Sequence, residues 1–258
     1  MLQAEKIKEN WESFRKAIDN NFPTRAKQIH AMYDDFEDRI ALMPASSMAH
    51  YHNAFAGGYI DHVLRVMSCA GMLYDTWQSA GADVSGYTRE ELMFAAMHHD
   101  LGKVGFPGDG NEVYQVETSD WHRKNMGRLY KHNGDIPFAM VPDLSIWLLQ
   151  EYKINISWNE FQAIKIHDGV YDDANKPYFI SRSAQAKLKT NPPIILHHAD
   201  HMAAQIEYER WRNEQNNTVT KPTEKSKATK NTAIKNLAET NPDLQKGVAD
   251  IFSSFKEE

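Results

Sequence analysis

The chain has a single cysteine, Cys69, in 258 residues. One thiol forms no internal disulfide and supports no cysteine-based zinc site. Cys69 lies mid-helix among apolar neighbours, which reads as a small buried filler rather than a nucleophile. No apolar run approaches the ~20 residues that span a bilayer. The opening segment, MLQAEKIKENWESF, is polar and carries acids, unlike a signal or transit peptide. The expectation is a soluble cytoplasmic protein with no membrane partner. Excess positive charge is also absent: the formal net charge is −6. Seven Lys and seven acidic residues between Asn213 and Glu258 cancel, so the deficit sits in residues 1–212. An acidic body argues against a broad groove that tracks duplex phosphates. It fits carboxylates and imidazoles gathered around cations, with a small or short substrate.

Strand-like alternation is missing too, and helical periodicity replaces it. Ile7, Trp11, Phe14 and Ile18 recur at spacings of three and four. A second amphipathic stretch runs from Ala26 to Leu42 and stops before Pro44. The segment PASSMAHYHNAFAGG reads as a loop. A long helix follows over Tyr59–Trp77. Thr88–Glu91 has the capping-box pattern and opens a helix that runs to about His99. GKVGFPGDGNEVYQ is a Gly-rich loop of the kind that carries function. Further helices are predicted around Ser119–Lys131, over Leu144–Tyr152, from the capping box Ser157–Glu160 to Asp168-Gly169, and from Ile194 to about Arg212. The expectation is all-α: about eight helices, no sheet and no internal repeat. Residues 1–43 read as helices packing on the core, 44–212 as the main helical domain, and 213–258 as a flexible Lys-rich linker with a short C-terminal helix.

Histidine is plentiful: there are 12. His99-Asp100 closes an apolar helix. His62 sits on the long helix, His122 opens a helix after an acidic loop, and His167 closes one before Asp168-Gly169. Asp200 lies mid-helix on a face that should be buried. A carboxylate there is costly unless it is paired or binds a metal. Taken singly, His62 and His167 read as core histidines, Asp100 as a buried cap and His122 as a helix N-terminal residue. Taken together, four imidazoles and two carboxylates suit Mn, Fe, Co, Ni or Zn and suffice for two ions sharing one carboxylate. Two ions ~3.5–4 Å apart commonly serve phosphoryl hydrolysis.

The order His62, His99-Asp100, His122, His167, Asp200 resembles the H…HD…H…H…D pattern of the HD superfamily. HHDLGK (His98–Lys103) is similar to its HD-x-G-K signature. FAGGYIDHVLRVM is similar to the PGGLLEHTLxV motif of HD-domain 3′→5′ exoribonucleases and conjugative relaxases. KIHDGVYDDANKPY and LHHADHMAAQIE resemble the later His motif and the final Asp helix. The resemblance covers roughly residues 44–212. It departs at His122, which has no Gly four residues on, and at His167, followed by Asp-Gly rather than His-Gly.

The resemblance implies an HD-domain helical bundle with two divalent transition-metal ions. Asp100 would bridge them, with His62, His99 and Asp200 on one side and His122 and His167 on the other. Asp100 and Lys103 would be catalytic: water acidified by the ions attacks, and Lys103, freed by Gly102, neutralises a phosphoryl oxygen. Position alone nominates His52, His98, Arg123, Tyr171, Lys176 and Arg182 as substrate contacts. The implied activity is hydrolysis of a phosphomonoester or phosphodiester of a nucleotide or short nucleic acid. A diiron oxygenase with the same ligand set and a non-catalytic nucleotide-binding scaffold are the alternatives. Within 244–258, Gln245, Val248, Ile251, Phe252 and Phe255 faintly resemble a sliding-clamp-binding peptide. The competing reading is a short helix packed on its own domain or on a sister subunit of a homo-oligomer.

Overall fold

An apolar residue at every third or fourth position makes one stripe along a helix, and the stripe must find cover. In the computed structural model, which describes residues 2–219, α1 (Ala4–Asn21) buries Ile7, Trp11, Phe14 and Ile18 along one face. The amphipathic stretch after it divides into α2 (Ala26–Asp34) and a single turn, α3 (Glu37–Ile40). Helix α4 (Gly58–Ser79) follows the loop and packs against α1, α5 (Arg89–His98) and α10 (Pro192–Val219). Both capping boxes form: Thr88 with Glu91 at the start of α5, and Ser157 with Glu160 at the start of α8 (Trp158–Lys165).

Helix α5 is the axis of the fold. Every residue from Leu92 to His98 is buried, as expected of a helix surrounded by other helices. It contacts α1, α4, α8 and α10. Its C-terminal end therefore delivers His99 and Asp100 into the protein interior. A 3₁₀ turn, Leu101–Val104, carries the chain away and packs on α7 (Val141–Glu151).

The fold is all-α, with one small exception. Strands β1 (Tyr114–Val116) and β2 (Tyr130–His132) pair antiparallel, Tyr114 opposite His132. Three residues are too few to show an alternating pattern, so this pair is not visible in the sequence. The helix expected over 119–131 is only α6 (Asp120–Met126). It stops because Gly127 takes φ 65°, a left-handed C-cap that turns the chain into β2. A short helix, α9 (Lys176–Ile180), completes the set.

Helix α10 runs to Val219, beyond the expected boundary at 212, since no Gly or Pro interrupts 213–219. The rest of the expected linker and the clamp-like segment 244–258 lie outside the described residues. Among the described residues no helix is long and apolar enough to cross a membrane.

Candidate metal centre

The geometry of the centre begins with hydrogen bonds on its far side. His99 Nδ1 lies 2.9 Å from the Ala96 carbonyl, and His167 Nδ1 lies 2.8 Å from the Ile164 carbonyl. A carbonyl only accepts, so each Nδ1 carries a proton, and in the neutral ring the lone pair is on Nε2. His62 Nδ1 is likewise directed at the buried Glu207, 3.1 Å from Oε2. All three rings are buried, and Nε2 of His62 and His99 makes no hydrogen bond.

Those nitrogens face two carboxylates. His62 Nε2 is 3.1 Å from Asp200 Oδ1 and 3.8 Å from Asp100 Oδ2. His99 Nε2 is 3.4 Å from Asp100 Oδ2 and 3.8 Å from Asp200 Oδ1. His167 Nε2 stands 3.8 Å from Asp100 Oδ1. A lone pair aimed at a carboxylate oxygen repels it, so each close pair needs either a proton on the imidazole or a cation between the two. Ligand atoms ~2.0–2.2 Å from one ion sit ~3–3.5 Å apart, close to the shorter of these separations. His62, His99 and Asp200, and likewise His99, Asp100 and His167, each offer ligand atoms within 4.8 Å of one another. These residues fit a metal ion, and the Nδ1 partners supply the outer support that metal-bound histidines require.

The local sequence explains the placement. The Gly102 N–H donates to Ser145 Oγ at 2.7 Å. A Cβ on Gly102 would stand 2.3 Å from the Val141 carbonyl oxygen. Gly102 thus serves close contact between the His99-Asp100 turn and α7, rather than freeing Lys103. We expect Gly102→Ala to cost about 1–3 kcal/mol through overpacking and to lower the melting temperature by several degrees. Thermal unfolding followed by circular dichroism checks this, and an unchanged melting temperature would refute the close-contact explanation.

Lys103 reaches back to Asp100 Oδ2 at 2.5 Å and to the Ala45 carbonyl at 2.9 Å. Burial opposes its charge, but Asp100 outweighs burial and holds it protonated. Burial also acts against ionisation of Asp100, yet Lys103 and His99 keep that carboxyl well below the usual range. The loop before α4 folds over the same place. Asn53, at φ 43°, anchors the loop to Asp61. His52 is stacked on His62 with ring centres 4.6 Å apart. Burial, then His62 and Lys103, depress His52 to about 3, so it is a neutral imidazole. Its Nε2 is buried without a hydrogen-bond partner.

A cavity of about 240 Å³ opens onto this floor. Asp100, Asp200, His167, His52 and Lys103 line it, with His132, Asp168 and the segment Phe138–Pro142. The structure thus gathers five of the six expected ligands: His62, His99, Asp100, His167 and Asp200. His122 belongs to none of the candidate metal groups among the described residues. It lies 3.4 Å from Glu117, which Arg128 also holds, near the start of α6. His98 is also misplaced by the sequence reading. It is fully buried between Phe94 and Tyr33 with Nδ1 on the Phe94 carbonyl, and does not reach the cavity. Arg123, Tyr171, Lys176 and Arg182 are not on the cavity wall. Tyr171 lies instead against His201, and Lys176 pairs with Asp173.

Three residues passed over in the sequence matter here. Glu207 is buried beneath His62 and is held by Arg65 Nε at 3.0 Å. Its only sequence signal was a position two helical turns from Asp200. Asp168 lines the cavity 3.7 Å from His167 Nε2. His132 lines it from the end of β2, and the short strand that carries it gave no periodic signal.

Proton and metal compete at His62. Burial opposes its charge, but Glu207 and Asp200 outweigh burial and raise it to about 10. A base raised in this way contributes stability that is complete below its ordinary value of ~6.5 and lost as pH rises through about 10. A metal ion must displace that proton. We therefore expect metal affinity to rise by about tenfold per pH unit between pH 7 and 9. Competition with a chromophoric chelator measures it, and a pH-independent affinity would place the ion away from His62.

Comparison with protein-family models, with curated proteins and with solved structures finds no match to this chain.

Proposed function

We propose that the protein is a metal-dependent phosphohydrolase of the HD type, acting on a phosphomonoester or phosphodiester of a nucleotide or short nucleic acid. The observation that carries this reading is the convergence of three buried, outwardly braced imidazoles on Asp100 and Asp200 beside the half-buried cation Lys103. In this reading His62, His99, Asp100 and Asp200 hold one divalent ion, drawn from Mn, Fe, Co, Ni and Zn. Asp100 and His167 would hold a second, with Asp168 as the carboxylate beside them. Bound divalent ions acidify water to near-neutral pKa and offset charge on a phosphoryl oxygen.

The chain's own groups do the rest. Asp100 fixes the position of Lys103, and Lys103 presents a permanent positive charge at the cavity wall, where a phosphoryl oxygen gathers negative charge. Neutral His52 stands on the cavity wall beside His62 without adding charge. Ser145 ties the turn that carries Asp100 and Lys103 to α7 through the Gly102 N–H and the His99 carbonyl.

The test is phosphate release with Mn²⁺ across nucleoside mono- and triphosphates, cyclic dinucleotides and short single-stranded RNA and DNA. Turnover of at least one class is expected. No turnover by metal-loaded protein would end the reading, and oxygen consumption by the ferrous protein would then support the oxygenase alternative.

A further inference from the structure

A second cavity, of about 450 Å³, adjoins the metal-facing one. The two share His132, Phe138, Ala139 and Val141 as a common wall. Together they fall in the size range of small-molecule sites, ~300–1,000 Å³. Their chemistry differs sharply. The first contains Asp100, Asp168, Asp200 and Lys103. The second has no Asp, Glu, Lys or Arg on its wall, which is built largely from Val113, Ile136, Pro137, Phe138 and Leu144. Its polar Asn133 already donates to the carbonyls of Gly110 and Glu112.

Phe138 stands on the boundary, 88% exposed. A large apolar side chain so open to water, at the seam of two cavities, is where a flat ring finds a stacking partner. Pro137 before it restricts the backbone and limits the entropy lost on contact.

The geometry points to the uncharged cleft as the subsite for a ring-bearing, uncharged portion of the substrate, with Phe138 as its specificity residue. This rests on the phosphohydrolase reading and narrows it. The ester's phosphoryl group faces the metal-binding floor, while its organic group lies along Phe138 and Leu144. A chain of further phosphates has no cationic partner in the cleft, so ring-bearing monoesters are favoured over substrates that would extend charge in that direction.

The experiment uses phosphonates, whose C–P bond is not hydrolysed, so that binding is read without turnover. Benzylphosphonate and methylphosphonate are titrated calorimetrically into Mn²⁺-loaded protein and into Phe138→Ala. The wild type should bind the benzyl compound about tenfold more tightly. In Phe138→Ala the ratio should fall to within about twofold. Equal affinities in the wild type would overturn the inference and leave the phosphohydrolase reading intact. Failure of both phosphonates to bind would count against that reading instead. Benzyl alcohol, which needs no metal, then decides the cleft by NMR. Saturable shifts lost in Phe138→Ala uphold the subsite, and their absence in the wild type overturns it.

Discussion

An Asp100→Asn protein is expected to fold, to retain no metal after dialysis, and to lose turnover by on the order of 10³-fold or more. Asn has nearly the same volume, so the contacts of the turn with α7 survive. What is lost is the negative charge that lies within 3.8 Å of Nε2 of His62, His99 and His167 and 2.5 Å from Lys103. Without it the three lone pairs have only Asp200 to complete a site. Lys103 keeps the Ala45 carbonyl but loses its nearest counter-charge, leaving the more distant Asp200. Removing one member of a buried pair costs about 3–5 kcal/mol, so the metal-free variant should melt at lower temperature. Adding Lys103→Met should recover part of that loss while leaving metal binding abolished. Elemental analysis and thermal melts of the two variants read both effects. Normal metal content in Asp100→Asn would show that the cation is held elsewhere.

Metal affinity should fall by about 10–100-fold when Glu207 is replaced, although Glu207 is not itself placed as a ligand. Its side chain is buried, accepts from Arg65, and braces Nδ1 of His62. Arg65 in turn holds Asp61, which Asn53 also contacts, so one network joins α10, α4 and the loop bearing His52. Glu207→Gln preserves an acceptor for Nδ1–H and should lie at the mild end. Glu207→Ala leaves the imidazole unbraced and Arg65 without one of its two carboxylates, and should lie at the severe end. A second readout separates bracing from general loosening. Removing the Glu207 charge lowers the His62 proton affinity, so the pH range over which metal affinity climbs should move downward. A weakened affinity with an unmoved pH profile would assign Glu207 a packing role alone.

How much of this was legible beforehand varies by residue, for identifiable reasons. The stripe of α1 and the boxes at Thr88 and Ser157 are local: their energetics involve residues three or four apart, which a sequence displays directly. His99 and Asp100 were visible because an acid and an imidazole closing an apolar helix stand out. Periodicity alone does not separate His98 from His99, since α5 is buried all round and names no single face; only the HD pattern set His99 among the ligands and left His98 to the pocket. About 100° of helical rotation sends one into the aromatic core and the other to the metal-binding floor. His122 lies beside Glu117 near the start of α6, apart from the five residues that converge, a separation that residue type and chain order do not reveal.

The sequence by itself determined the all-helical class, most helix positions and a set of side chains able to hold a metal, because hydrophobic period, caps and residue chemistry are local properties. Only the tertiary structure decided which imidazoles converge. It set Glu207 beneath His62 across 145 residues, brought Asp168 and His132 to the cavity wall, and opened the uncharged cleft at Phe138. These are contacts between elements distant in sequence, and their geometry is fixed by how α4, α5 and α10 pack around one another rather than by any spacing along the chain.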